Sequence, residues 1–331
     1  MPRPLRLASL FIVAFGLTTA ILAAGSRHPA DAHVGVPAAG EGQLAGGAVD
    51  SAEAPPVWVP PAWVPGADAW ALPGLDQRGP TTGPRVRSAA AIVYDVDREQ
   101  VLFERRADDL RPVASLTKTV ASLAYASFSP DLDDRACIGI EQWPTRSGAR
   151  SRLSTGDCGS GWDFLGAALV ASDNRAAYAL APAAGVGVDD LVDRMNEVSA
   201  QLGMTSSQWT DPSGLEDEDL STARDIARAT LALSSVPALS LAASSPSWLL
   251  ERDPHPPRRL GSTNKLIHGT RVEVEVGKTG YTDTARYCLT TLVQTRTGQR
   301  LLITLLGARS DATRWADARR VIRWAEQQDG G

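Results

Sequence analysis

Strand-like patterns stand at both ends of the foldable part of this chain, with helical patterns between them, and this arrangement leaves few ways to complete a sheet. Residues 89–95 and 100–104 run apolar around the turn Asp97-Arg-Glu99 and predict a hairpin. Residues 286–295 and 300–306 predict a second one, turning at Thr297-Gly298. Between the hairpins, Leu116, Val120 and Leu123 repeat at helical spacing after Pro112. Further helices are predicted over 164–171 and, after the polar break Ser172-Asp-Asn174, over 175–180. Another carries Leu191, Met195, Val198 and Leu202 as one stripe, with Asp189 and Asp190 at its start and Gly203 past its end. Residues 222–234 predict a helix opened by Ser221, and 311–326 a last one with Trp315, Ala318, Ile322 and Ala325 on one face. Strands from opposite ends must pair to bury their faces. The expected class is therefore α/β (α+β), an antiparallel sheet from both chain ends packed with helices, with a helical lobe inserted between and a cleft where the two meet.

The remainder of the chain sets the compartment. Arg3 and Arg6 precede an apolar run over 7–24, so residues 1–25 read as an export signal or an uncleaved N-terminal membrane anchor, since the run is close to the roughly 18 residues that span a bilayer. Either way the protein is exported, to the periplasm or another extracytoplasmic space. Residues 26–85 are rich in Pro, Ala and Gly without apolar period and read as a flexible linker, in which Trp58, Trp63 and Trp70 stand out. The folded domain is expected over 86–328. Cys137 and Cys158 flank a polar loop, and in an oxidising compartment they are expected to pair, which would contribute on the order of 3 kcal/mol. Cys288 reads as a packed core thiol. A net charge of −5 gives no electrostatic case for nucleic acid. The histidines His28, His33, His255 and His268 show no metal-ligand spacing, which argues against a zinc site or a Ser-His-Asp mechanism; no cofactor is expected.

The chemistry concentrates in three clusters. Ser115 and Lys118 are three apart at a predicted helix start, so hydroxyl and amine leave the same face. A serine hydroxyl is a weak nucleophile until a base takes its proton, and lysine can be that base when burial or a second cation depresses its pKa. Of 33 basic residues only Lys118, Lys265 and Lys278 are lysines, and unlike arginine they can give up a proton. Ser172-Asp-Asn174 lies in a break between helices. There Ser172 can point its hydroxyl at Lys118 and relay a proton to a leaving group, and Asn174 can donate to a substrate carbonyl and hold Lys118. Lys278-Thr-Gly280 is expected to open a strand. Lys278 supplies positive charge that depresses Lys118 and attracts a carboxylate, Thr279 offers a hydroxyl to it, and Gly280 lets a substrate backbone approach. The N–H groups of Ser115 and Tyr281 would form an oxyanion hole.

S-x-x-K, S-D-N and K-T-G in this order are the signature of class A β-lactamases and penicillin-binding proteins. Over residues 86–325 the chain resembles the S11 serine peptidases, low-molecular-weight penicillin-binding proteins that act as D-alanyl-D-alanine carboxypeptidases. The likeness extends to Arg111-Pro-Val-Ala114, Leu202-Gly-Met204, Asp211-Pro-Ser-Gly-Leu215, Ser221-Thr-Ala-Arg-Asp-Ile226 and Tyr281-Thr-Asp283. Ser262-Thr-Asn-Lys-Leu266 looks like the family's N-T-N-x-L segment beside the cleft, with Ser262 in place of the first Asn, and makes Asn264 a substrate-binding candidate. The resemblance implies a β-lactamase/transpeptidase-like fold and an acyl-enzyme on Ser115 formed from peptidoglycan stem peptides. It also implies β-lactam antibiotics as covalent inhibitors. Ser172-Asp-Asn-Arg-Ala-Ala177 looks most like the short D,D-endopeptidase subgroup. Two other readings stand beside it: a serine β-lactamase, for which no E-x-x-L-N segment is found, and a non-catalytic cell-wall-binding protein on the same scaffold. The segment between Cys137 and Cys158 departs from the family pattern.

Overall fold

The computed structural model describes residues 73–140 and 151–329; the N-terminal export segment and the linker tryptophans lie outside them. Five strands form one antiparallel sheet: β1 (Ala90–Asp95), β2 (Gln100–Arg105), β3 (Val272–Thr282), β4 (Arg286–Thr295) and β5 (Arg300–Ala308), in the order β2-β1-β5-β4-β3. The two ends of the chain join where β1 pairs with β5, in register from Ala90↔Leu306 to Asp95↔Leu301. Both faces of β5 are covered, which explains why it is apolar from Leu301 to Leu306 except at Thr304. Leu301, Ile303 and Leu305 pack with Trp315, Ala318, Ile322 and Ala325 of a C-terminal helix, whereas Leu302 and Leu306 enter the larger core on the other face.

Besides the single turn Pro73–Asp76, the helices are α1 (Thr117–Ser127), α2 (Gly161–Val170), α3 (Asn174–Ala183), α4 (Val188–Gln201), α5 (Ala223–Ser234), α6 (Pro237–Ser244) and α7 (Asp311–Asp329). Helix α1 runs through the middle of the larger core, with every residue from Thr117 to Ala126 buried. Helix α2 begins in a capping box, Ser160 accepting from Asp163 N–H while the Asp163 carboxylate accepts from Ser160 N–H. The predicted stripe of α4 is buried as expected at Leu191, Met195 and Val198, and Leu202 caps its end.

Several expectations need correction. Helix α5 is capped by Thr222, whose hydroxyl accepts from Asp225 N–H, and Ser221 belongs to a two-residue strand instead. Lys278 does not open a strand; it is the seventh residue of the eleven in β3. Helix α6 and the hairpin of Ser247–Leu250 with Arg258–Gly261 were not expected. The packed body also begins ahead of Val86. Leu75 is fully buried, Arg224 donates to Leu75 O (2.7 Å) and Gln77 O (3.2 Å), and Arg228 pairs with Asp76. Farther along, Glu104 N–H donates to Pro80 O at 2.9 Å. Residues 73–85 thus lie along β2 and take up an outward N–H that an edge strand would otherwise expose. The paired Cys137 and Cys158 face each other across a short antiparallel ladder, joined by a disulfide, while Cys288 is a buried free thiol.

Candidate active site

The chain approaches Ser115 through the two-residue strand Arg111–Pro112 and then reverses at Ala114, whose φ of 52° is left-handed. For a residue with a Cβ that conformation costs about 1–2 kcal/mol and needs support. Two glycines make room for it. A Cβ on Gly214 would overlap the Ala114 carbonyl, and one on Gly280 would sit 2.9 Å from Val113 O and 3.2 Å from Ser115 N. Ser115 therefore lies in the 3-10 turn Ala114–Leu116, ahead of α1, and only partly buried. Strand β3 passes directly against its backbone.

Lys118, in the first turn of α1, is fully buried. Its Nζ lies 2.9 Å from Ser115 Oγ, 2.7 Å from Asn174 Oδ1 and 2.6 Å from Ser213 O. The last two atoms can only accept, so they take two N–H bonds and leave Ser115 Oγ as the one neighbour able to donate. A neutral amine fits this cage with its lone pair toward the serine. Burial pulls Lys118 down to about 8, against the upward pull of the Asp211, Asp173 and Asp219 carboxylates. A base acts in its unprotonated form. The second-order rate of acylation by a penicillin is therefore expected to rise with pH through about 8 and level off above, standing near pH 7 at roughly a tenth of its plateau. A rate flat between pH 6 and 9 would remove Lys118 from that role.

The other two clusters meet across the cleft. Ser172 is also left-handed, with φ 59°, and its Oγ accepts from Lys278 Nζ at 2.7 Å; the hydrogen bond to this hydroxyl comes from Lys278 and not from Lys118. Lys278 also donates to Thr279 O (2.8 Å). It is buried, and burial together with the positive charges of Lys118 and Arg314 holds it well below the usual lysine range. Lys118 is thus set chiefly by its own burial, and the repulsion between the lysines bears on Lys278. A docked carboxylate would pull Lys278 back up. Asp173 caps α3 by accepting from Ala176 N–H, which fixes Asn174 as the first helical residue beside Lys118.

Thr279 Oγ1 donates to Thr263 Oγ1 at 2.7 Å, which ties β3 to the segment around Asn264. Asn264 itself is a correction. It is buried, its Oδ1 accepts from Leu266 N–H (3.0 Å) and its Nδ2 faces Thr291 Oγ1 (3.5 Å), so the side chain braces β3 and is not presented to a ligand. The ring of Tyr281 is 46% exposed and stacks at a tilt on Tyr287. Of the extra cations near this end, Lys265 is spent on Asp311 (2.6 Å) and Arg271 on Glu326 (3.0 Å), leaving Arg286 without an ion pair among the described residues.

Two features were missed by sequence reasoning. The carboxylate of Asp211 gathers the N–H groups of Ser213, Gly214, Leu215 and Glu216, and that loop delivers the Ser213 carbonyl to Lys118. Behind it Asp219 is pushed up to about 7 by burial and by Asp211. Asp211-Pro-Ser-Gly carried a turn signal but nothing to say which carbonyl it would aim. Arg314, on α7, is buried and donates to Gly280 O (3.2 Å) and Cys288 O (2.9 Å), supporting β3 from behind; within an Arg-rich helix it has no distinguishing pattern.

The sequence model described as D-alanyl-D-alanine carboxypeptidase matches residues 78–310. A D-alanyl-D-alanine endopeptidase of Pseudomonas aeruginosa is 33% identical over 241 residues, which is 72% of this chain and 77% of that protein. The crystal structure of a D-alanyl-D-alanine carboxypeptidase from Mycobacterium tuberculosis H37Rv is similar with a TM-score of 0.67 at 26% identity, covering 74% of this chain and 93% of the other. Penicillin-binding protein D2 of Listeria monocytogenes, solved in a cefotaxime-bound form, is similar with a TM-score of 0.65 at 25% identity, covering 74% and 99%.

Proposed function

The chain belongs to the S11 family of D-alanyl-D-alanine carboxypeptidases, and on that premise we propose that it cuts peptidoglycan stem peptides through an ester formed on Ser115. It is a serine-type D-alanyl-D-alanine peptidase, and the observation that carries the proposed roles is the amine of Lys118 held between two obligate acceptors and Ser115 Oγ. Ser115 Oγ attacks the carbonyl of the penultimate D-alanine as Lys118 takes its proton. The N–H groups of Ser115 and Tyr281 receive the oxyanion. Collapse of the tetrahedral intermediate expels the amine of the terminal D-residue, which takes the Ser172 hydroxyl proton while Lys278 Nζ, 2.7 Å away, resupplies it. Lys278 and Thr279 hold that residue's carboxylate, and Asn174 Nδ2 is free to donate to the peptide. Water then cleaves the ester. β-Lactams acylate the same serine, in keeping with the cefotaxime-bound relative. The work is done outside the cytoplasm, where the wall is, and residues 7–24 would provide an anchor if retained.

The β-lactamase reading finds no support. It needs a carboxylate for the deacylating water, and Glu197 is exposed on α4 and paired with Arg194.

Between the two peptidase reactions we favour dual activity with endopeptidase preference. In a cross-link the D-centre whose amine leaves still bears a carboxylate, so Lys278 and Thr279 serve both substrates. The Pseudomonas aeruginosa relative, 33% identical, is an endopeptidase. Given a cross-linked muropeptide dimer and a monomeric pentapeptide side by side, the full chain is expected to cut both, the dimer faster. Release of D-alanine from the pentapeptide with no cut of the dimer would leave a plain carboxypeptidase.

A further inference from the structure

Ser172 is held in a strained conformation by residues that come from elsewhere in the chain. Arg152 Nη1 donates to the carbonyl of Ala171 at 3.2 Å, on one side of the serine. On the other side the Asp173 carboxylate accepts from Ser151 Oγ (2.6 Å) and Arg152 N–H (2.5 Å) while capping α3. The same two residues therefore grip the backbone on both flanks of Ser172. They are anchored in turn: Arg252 donates to Arg152 O (3.1 Å), Arg175 donates to Leu153 O, and Leu153 is buried. Four residues later Asp157, fully buried, takes His255 Nδ1 (2.5 Å) and Ser154 N–H (2.8 Å) and accepts at its carbonyl from Ile138 N–H (2.8 Å). Cys158, at the end of this stretch, is joined to Cys137 by a disulfide.

We propose that the stretch 151–158, fastened at Cys158 by its disulfide to Cys137, positions Ser172 for catalysis, acting through Ser151, Arg152 and Asp173. A left-handed non-glycine residue persists only where its surroundings over-determine it. The Asp173 N–H closes the turn from within by donating to Ala167 O (2.9 Å), and the Ser151-Arg152 grip adds a restraint from outside on both flanks of Ser172. Ser151 and Asp173 are positioning residues, since neither touches the reacting atoms. The segment's effect falls on proton delivery by Ser172, not on the carboxylate held by Lys278 and Thr279, so kcat should change and KM should not.

The inference rests on the role given to Ser172 above, and the test separates the two. Full-length wild type, Ser151→Ala, Ser151→Thr, Ser172→Ala and the double variant Cys137→Ala/Cys158→Ala are compared for kcat and KM of D-alanine release from a pentapeptide, alongside thermal unfolding. Ser151→Ala and the double variant are expected to lose roughly tenfold or more in kcat, with KM within about twofold of wild type, well below their unfolding temperatures. Ser151→Thr, which keeps the hydroxyl, should restore most of the loss. If Ser172→Ala is impaired while Ser151→Ala is not, or if Ser151→Thr is as poor as Ser151→Ala, the positioning role is overturned. If Ser172→Ala turns over normally, the role of Ser172 itself falls. Should the cysteine variant fail to fold, the Ser151 pair still decides.

Discussion

Ser115→Ala is expected to abolish both covalent labelling by a fluorescent penicillin and release of D-alanine from stem peptides. The loss in kcat should be at least about 10⁴-fold, because removal of a nucleophile leaves only binding and oxyanion stabilisation. The fold should barely notice. Ser115 is partly exposed in the cleft, and its Oγ is one of three polar neighbours of Lys118, so Asn174 and Ser213 still hold the amine. A change in stability within about 1 kcal/mol is anticipated for so small a truncation. Ordinary labelling of this variant would sink the acyl-enzyme mechanism, and with it the reading of the cleft.

Lys118→Arg should be nearly as damaging although the charge is kept. Arginine cannot release its proton at working pH, so general-base assistance worth about 10²–10⁴-fold disappears. Its larger guanidinium must also enter a site with no exposed surface; overpacking of this kind costs about 1–3 kcal/mol. Thermal unfolding therefore has to accompany the assay. A folded Lys118→Arg protein that acylates near the wild-type rate would show that another group takes the Ser115 proton.

Local pattern and residue chemistry made much of this molecule readable. The pairing of β1 with β5 follows from apolar runs at the two ends of the chain, and the three catalytic clusters follow from reactive residue types at fixed spacing. Harder to see were features set by packing. Residues Val272-Glu-Val-Glu-Val276 alternate as a strand should, yet the strand was expected to open only at Lys278; Gly277 and Gly280 lie inside it, where Asn264 and Ser115 crowd in. Asn264 matches a motif beside the cleft, but only its burial reveals that both polar ends are spent inside. The partners of Lys118 illustrate the same limit. Asn174 was foreseeable from its motif, whereas the Ser213 carbonyl is a backbone atom and leaves no mark on residue identity. Nor does composition show that residues 73–85 pack, since their hold comes from Arg224 and Arg228, more than a hundred positions away.

That hold bears on how the enzyme can be tethered. The described chain enters along β2, the edge of the sheet farthest from β3, and four strand spacings of about 4.8 Å put the two edges roughly 19 Å apart. The described residues thus begin on the side of the sheet away from β3. A pull applied where the described residues begin would be borne first by β2 and by Arg224 and Arg228, which hold Leu75, Gln77 and Asp76.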